Sequence, residues 1–196
     1  MAPIQVRPLP RSEIGERLGD LARLRIAVFR DWPYLYDGDA EYEAEYLRAF
    51  AGAPDAVLVA AFAGDEIVGM ATASPMIAQP SAIQDPVLSA GIDPMRVFYF
   101  GESVLLPHAR GRGVGHRFFD EREAGARAVG ADTAMFCAVV RPVKHSLRPT
   151  DARAHDAFWT GRGYTRVPGL VCEMSWREVG DAEETAHRLQ FWRGAL

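Results

Sequence analysis

The sequence predicts an α/β fold, a mixed sheet with helices on both faces, and three observations carry that expectation. A strand, a tight glycine turn and a helix follow one another in mid-chain, a hairpin signal precedes them, and strand-like runs alternate with helical periodicity along the chain. The mid-chain unit is the sharpest. Val97-Phe98-Tyr99-Phe100-Gly101-Glu102-Ser103-Val104-Leu105-Leu106 reads as a buried strand, because aromatic and aliphatic side chains fit a pleated surface covered on both sides. After Pro107 come Arg110-Gly111-Arg112-Gly113-Val114-Gly115 and a helical run to Val129, with Val114, Phe118, Gly125 and Val129 on one stripe.

Taken in order, Ile4 to Leu9 alternates as a first strand, ended by Pro8 and Pro10. Ser12 is placed to cap a helix whose stripe is Leu18, Leu21, Ala22, Val28 and Phe29. The segment from Asp31 to Asp39 breaks it, and a second helix is expected with Tyr42, Tyr46 and Phe50 inward and Glu41, Glu43 and Glu45 around the rest. Ala56–Ala63, the Gly64-Asp65 turn and Ile67–Ser74 form a hairpin. Residues 75 to 95 hold four prolines and no sustained period. They are expected to form a long loop with a helical turn near Ala90, serving as a lid, a dimer contact or a surface excursion. Later come a strand Thr133–Val140, a basic Pro-rich connection to Asp151, a helix Arg153–Arg162 ended by Gly163, a strand Leu170–Trp176 and a last strand Leu189–Arg193. No repeat or linker divides the chain, so residues 1–196 are expected to form one domain.

Composition excludes several classes of function. A net charge of −4 on 196 residues lacks the basic excess of a general nucleic-acid binder. The longest apolar run, Ala56–Ala63, is far short of a bilayer span, and no leader signal opens the sequence, so no membrane association and a cytoplasmic location are expected. Cys137 and Cys172 both lie in apolar strand-like runs and read as buried free thiols. No metal site is expected.

The glycine turn carries the chemistry. A helix leaves its first N–H groups unpaired, and its aligned peptide dipoles make that end partly positive. Glycines ahead of it remove the side chains that would hold a phosphate away, and Arg110 and Arg112 add charge, which together suit a pyrophosphate. A Walker loop is excluded, since its lysine is missing. The dinucleotide fingerprint fails too, because the sixth position counted from Gly111 is His116.

Arg110-Gly111-Arg112-Gly113-Val114-Gly115 resembles the acyl-CoA-binding signature of the GNAT superfamily of acetyl-CoA-dependent N-acetyltransferases. Ala157-Phe158-Trp159-Thr160-Gly161-Arg162-Gly163-Tyr164 is similar to that family's later Phe-Tyr-x-x-x-Gly-Phe segment, in matching order and context. The resemblance covers roughly residues 4 to 178. It implies a GNAT-like acyl-CoA N-acyltransferase fold in which two middle parallel strands, here Val97–Leu106 and Thr133–Val140, splay apart to admit the pantetheine arm. It implies acetyl-CoA as cosubstrate, with Val104, Leu105 and Leu106 on the pantetheine and thioester. Arg110, Gly111, Arg112, Gly113, Val114, Gly115 and His116 would lie on the pyrophosphate, with Phe158 and Trp159 along the arm. The asparagine common before the late helix has no counterpart; Ala152 falls near its place.

Acetyl transfer to an amine needs the thioester held near a neutral amine, and a leaving thiolate that is protonated or stabilised. Glu102 is the strand's only carboxylate and is read as either the general base or one half of a salt bridge. A bulge at Gly101 would decide which face it takes. The family's acidic tyrosine is replaced by Trp159, whose indole donates a hydrogen bond but no proton near neutral pH. Tyr164, Tyr99, His145 and His155 are the substitutes, or the thiolate leaves without an enzyme acid. Trp32, Tyr34, Tyr36 and Asp37 would border the acceptor pocket and suit a cationic small molecule or polyamine. The competing reading is a GNAT-like module that binds acyl-CoA without turnover. The resemblance also implies a homodimer paired through the last strand around Phe191-Trp192.

Overall fold

The computed structural model describes residues 3–196, so the first two residues of the expected domain lie outside it. The elements are β1 (Ile4–Pro8), α1 (Arg11–Phe29), α2 (Ala40–Gly52), β2 (Val57–Ala63), β3 (Glu66–Pro75), α3 (Ser81–Ser89) and β4 (Val97–Leu105). They continue with α4 (Val114–Ala128), β5 (Thr133–Val139), α5 (Asp156–Gly161), β6 (Thr165–Arg177) and β7 (Glu184–Ala195). Seven strands form one mixed sheet in the order β1-β2-β3-β4-β5-β7-β6. Only β4 and β5 run parallel, and they pair over just Val97–Tyr99 and Thr133–Met135. Beyond that point the two strands part, as the splayed fold requires.

Strand alternation sorts the core into two layers. Leu58, Ala60, Met70 and Val104 face α1 and α2. Val97, Tyr99, Met135 and Phe191 continue that face beneath α3. Val59, Ala71, Phe98, Phe100 and Phe136 point the other way, toward α4 and α5. The segment 75–95 is therefore no loose excursion. Pro80 precedes α3, whose Ile83 and Val87, four residues apart, sit buried with Met76 against β4–β7.

Other expectations change for local reasons. Ser12 does not cap α1; Pro10 holds the cap position and the helix has no side-chain cap. On α2 the cap is Asp39, whose Oδ1 accepts from the N–H groups of Glu41 (3.0 Å) and Tyr42 (2.9 Å). That helix buries Glu43 and Leu47 and turns Tyr42 outward, because Arg25 on α1 offers Glu43 a counter-charge. Val129 lies past the end of α4 and is exposed. The late helix begins at Asp156 rather than Arg153, and β6 and β7 are longer than the sequence suggests because they form an extended hairpin. β7 lies between β5 and β6 with Phe191 and Trp192 buried, so it has no free edge for a partner copy. Cys137 and Cys172 are free thiols, 3.5 Å apart at sulfur.

One irregularity sets the site. The register of β3 against β4 shifts between Ala71–Ser103 and Ala73–Phe100, so Thr72 stands opposite both Gly101 and Glu102. The extra residue moves Glu102 and Val104 to the α1 face, whereas plain alternation would leave them with Phe98 and Phe100 on the α4 face. Thr72 Oγ1 accepts the Glu102 N–H at 3.2 Å, and a Cβ on Gly101 would lie 2.5 Å from that oxygen. Replacing Gly101 with alanine is thus expected to lower stability by about 1–3 kcal/mol, read as a fall in the urea midpoint.

Candidate functional site

Where β5 leaves it, β4 keeps a free edge. The Leu106 N–H donates to the Val68 carbonyl at 2.9 Å, and in that register Val104, opposite Met70, also turns its backbone groups toward β3. Ser103 and Leu105 alternate with them and face the gap. Of the three residues expected on a pantetheine arm, only Leu105 therefore offers its backbone there, and Ser103 takes the place given to Val104 and Leu106. The Leu105 carbonyl accepts from Arg110 Nε at 3.1 Å.

Just past the strand, Gly111 (φ 73°) and Gly113 (φ 76°) adopt left-handed backbone with open space where a Cβ would stand. Gly113 is the N-cap of α4 and supplies no side chain, so the first-turn N–H groups of Val114, Gly115 and His116 lack helical partners. These are the features a pyrophosphate needs. α5 leans on the same turn. Phe158 lies 3.4 Å from where a Gly115 Cβ would be and 4.9 Å from the His116 ring, measured between ring centres. Arg162 fastens the pair, binding the His116 carbonyl (3.3 Å), Asp120 (2.8 Å) and Glu123 (3.0 Å) on α4.

On the α1 face, the Glu102 carboxylate sits in a buried ion cluster. Arg25 Nη1 donates to Glu102 Oε1, Arg25 Nε donates to Glu43 Oε2, and the Tyr46 hydroxyl donates to Glu102 Oε2 at 3.3 Å. The Arg25 guanidinium also lies over the Tyr46 ring (4.4 Å) and the Phe29 ring (5.1 Å). Burial alone would lower the pKa of Arg25, but Glu102, Tyr46 and Glu43 outweigh it and raise it, so this cation stays charged. Burial, followed by Glu102, raises Tyr46 and keeps it a phenol. Glu43 Oε1 is buried and makes no hydrogen bond among the described residues.

With this geometry in view, comparison decides the family. The model of the acetyltransferase (GNAT) family matches residues 22–148. The chain belongs to the GNAT acetyltransferase family, and it is an acyltransferase. Its fold is shared by a ribosomal-protein-alanine N-acetyltransferase from Brucella melitensis, at 14% identity over 98% of this chain and 99% of that one, TM-score 0.64. It is shared by an aminoglycoside 6'-N-acetyltransferase complexed with coenzyme A, at 17% identity over 97% and 96%, TM-score 0.61. An acetyltransferase from Salmonella typhimurium, solved with acetyl-CoA, aligns at 12% identity over 100% and 95%, TM-score 0.60. No curated protein matches the sequence.

The remaining expected site residues divide sharply in this acetyltransferase. The α1–α2 loop does lie beside the gap, pinned there by Arg141 just past β5. Arg141 Nε donates to the Pro33 carbonyl (2.7 Å), Nη2 to the Tyr34 carbonyl (2.8 Å) and Nη1 to Glu178. Tyr34 packs on Phe29 and Trp176, and burial, then Cys137 and Glu102, push its pKa up to about 12. Tyr36 is raised by burial and the neighbouring Glu43. Trp32 meets the His145 ring at 5.1 Å. Asp37 is already held by Arg177 (3.0 Å) and Arg30 (3.3 Å), so it offers no spare charge to an amine. Trp159 is packed between Phe136 and Trp192, each about 5.0 Å away between ring centres, with His155 at 5.7 Å. Tyr164 is 2% exposed in the core, its hydroxyl donating to Glu123 at 3.1 Å on the α4 side.

Sequence reasoning missed Arg25, Glu43, Arg141 and Arg122. Arg25 and Arg122 carry the only signal that could have found two of them, a charged residue inside the apolar stripe of α1 or α4. Arg25→Met would leave Glu43 and Glu102 buried without their counter-charge. It is expected to cost about 3–5 kcal/mol of stability, measured by equilibrium unfolding in urea.

Proposed function

We propose that this enzyme moves the acetyl group of acetyl-CoA to a primary amine of a small molecule or polyamine, by direct attack in a ternary complex. The observation that carries the reading is the free edge of β4, with the Ser103 and Leu105 backbone groups facing a gap that ends at an open, glycine-flanked helix start. The pyrophosphate sits on the N–H groups of the turn from Gly111 to His116, with Arg110 and Arg112 supplying positive charge. Leu105 pairs with the pantetheine amide, displacing the Arg110 side chain toward the phosphates. The Ser103 N–H donates to the thioester carbonyl.

Glu102 acts as general base through water. The amine nitrogen bonds to the acetyl carbon, its proton passes to the Glu102 carboxylate, and the C–S bond breaks to release coenzyme A as thiolate. That thiol resembles cysteine, with a pKa of about 8.5, so it can leave without an enzyme acid. Tyr164 is not assigned that role, since its hydroxyl is engaged by Glu123, and Trp159 shapes the wall of the arm's channel. Two carboxylates, Glu43 and Glu102, face one guanidinium beside Tyr34, Tyr36 and Tyr46, and this acidic, aromatic setting suits a cationic acceptor. Aminoglycosides, named for two of the structural neighbours, are polyamines of that kind.

The competing reading, binding without turnover, draws on the engagement of both Glu102 oxygens by Arg25 and Tyr46. Glu102→Gln separates the two. It is expected to lower kcat by about 100-fold or more across an amine panel in a thiol-release assay, with acetyl-CoA affinity by calorimetry unchanged. Tight acetyl-CoA binding with no thiol released by any amine would favour the binding module instead.

A further inference from the structure

Arg122 is a fully buried guanidinium on α4, on the face of the sheet opposite Glu102. Its hydrogen bonds go to carbonyl oxygens rather than carboxylates: Nε to Phe118 (3.1 Å), and Nη1 to Thr72 and Glu102 (each 3.4 Å). Glu123, the acid beside it in sequence, pairs with Arg162 and Arg127 instead. The Phe100 and Phe119 rings flank the guanidinium at 4.5 and 4.7 Å. Burial lowers its pKa to about 10, which leaves it charged at neutral pH. An aliphatic side chain would fill the same slot between two rings without the cost of desolvating a cation. Packing alone gives no reason for arginine here.

The two carbonyls it binds do give one. Thr72 and Glu102 face one another across the bulge, one on β3 and one on β4, so Nη1 ties the irregular register together from behind. In a trans peptide the carbonyl of one residue and the N–H of the next point in opposite directions. The Glu102 carbonyl that faces Arg122 therefore belongs to the peptide whose other end, the Ser103 N–H, faces the gap.

We propose that Arg122 is a positioning residue for acyl transfer, a cation behind the sheet that fixes and polarises the 102–103 peptide so that the Ser103 N–H binds the charge developing on the thioester oxygen. The proposal rests on the placement of the thioester given above. A charge-assisted bond to one end of a peptide makes the other end a stronger donor. The donor is also set in place before reaction and needs no reorganisation.

The test compares Arg122→Met, Arg122→Lys and Arg122→Gln by infrared spectroscopy of bound acetyl-CoA carrying ¹³C at the acetyl carbonyl, alongside steady-state kinetics. Wild type should show the thioester carbonyl stretch shifted to lower frequency than in free acetyl-CoA. Arg122→Met should lose most of that shift and about 10- to 100-fold in kcat, less than deleting an oxyanion donor outright, with KM for acetyl-CoA within about twofold. Arg122→Lys, which keeps the charge, should retain most of both. A Met variant with the wild-type shift and kcat would overturn the proposal. If the Met variant does not fold, Gln and Lys decide: loss of the shift in Gln alone supports the role, and equal shifts in both overturn it. A wild-type enzyme that binds acetyl-CoA with no shift at all would overturn the thioester placement itself, an outcome distinct from a shift that every variant preserves.

Discussion

The bulge that sets Gly101 and Glu102 together against Thr72 decides what β4 presents to each side. Strand side chains alternate strictly, so one inserted residue reverses every position after it. Tyr99 and Glu102 thereby share a face although they are three positions apart, and Val104 joins the core under α1 while Leu105 turns to α4. The same insertion changes the hydrogen-bonding side of the backbone. Leu106 pairs with Val68, and Ser103 and Leu105 are left facing the gap. Only glycine fits at position 101, where the Thr72 hydroxyl occupies the space of a side chain.

Two buried arginines bracket that bulge from opposite faces, and their partners differ in kind. Arg25 is ringed by the carboxylates of Glu43 and Glu102, a close-range arrangement that returns much of the cost of taking three charges out of water. Arg122 has carbonyls and aromatic rings for company. Each holds one part of the same residue, Arg25 the Glu102 side chain and Arg122 its backbone oxygen. With its carboxylate held by Arg25 and Tyr46 and its carbonyl by Arg122, Glu102 has little rotamer freedom.

The walls of the gap are joined by the same device, a buried or half-buried arginine bridging elements far apart in the chain. Arg141 carries the α1–α2 loop against β6 through Pro33, Tyr34 and Glu178. Arg162 draws α5 against the start of α4 through His116, Asp120 and Glu123. Guanidinium suits this task because its fork of donors reaches two or three acceptors at once in fixed directions. The glycine turn, the free strand edge and the acidic cluster are therefore held in one frame.

The sequence by itself determined the strand–glycine–helix unit, the mixed sheet and the family signature, since these follow from periodicity, glycine placement and local spacing; the separation of the two parallel strands entered only as what the family resemblance implies. Those signals act within a turn or a few residues, where chain order and spatial order coincide. Tertiary structure alone decided that Glu102 faces α1, that Ser103 rather than Val104 meets the gap, that Tyr164 is core and Asp37 already paired, and that residues 75–95 fold against the sheet. Each of these depends on a partner distant in sequence: Thr72 for the bulge, Arg25 and Glu43 for the carboxylate, Glu123 for the phenol, β6 and β7 for α3. The local pattern is silent on such pairs, because the free energy that fixes them exists only once the elements have met.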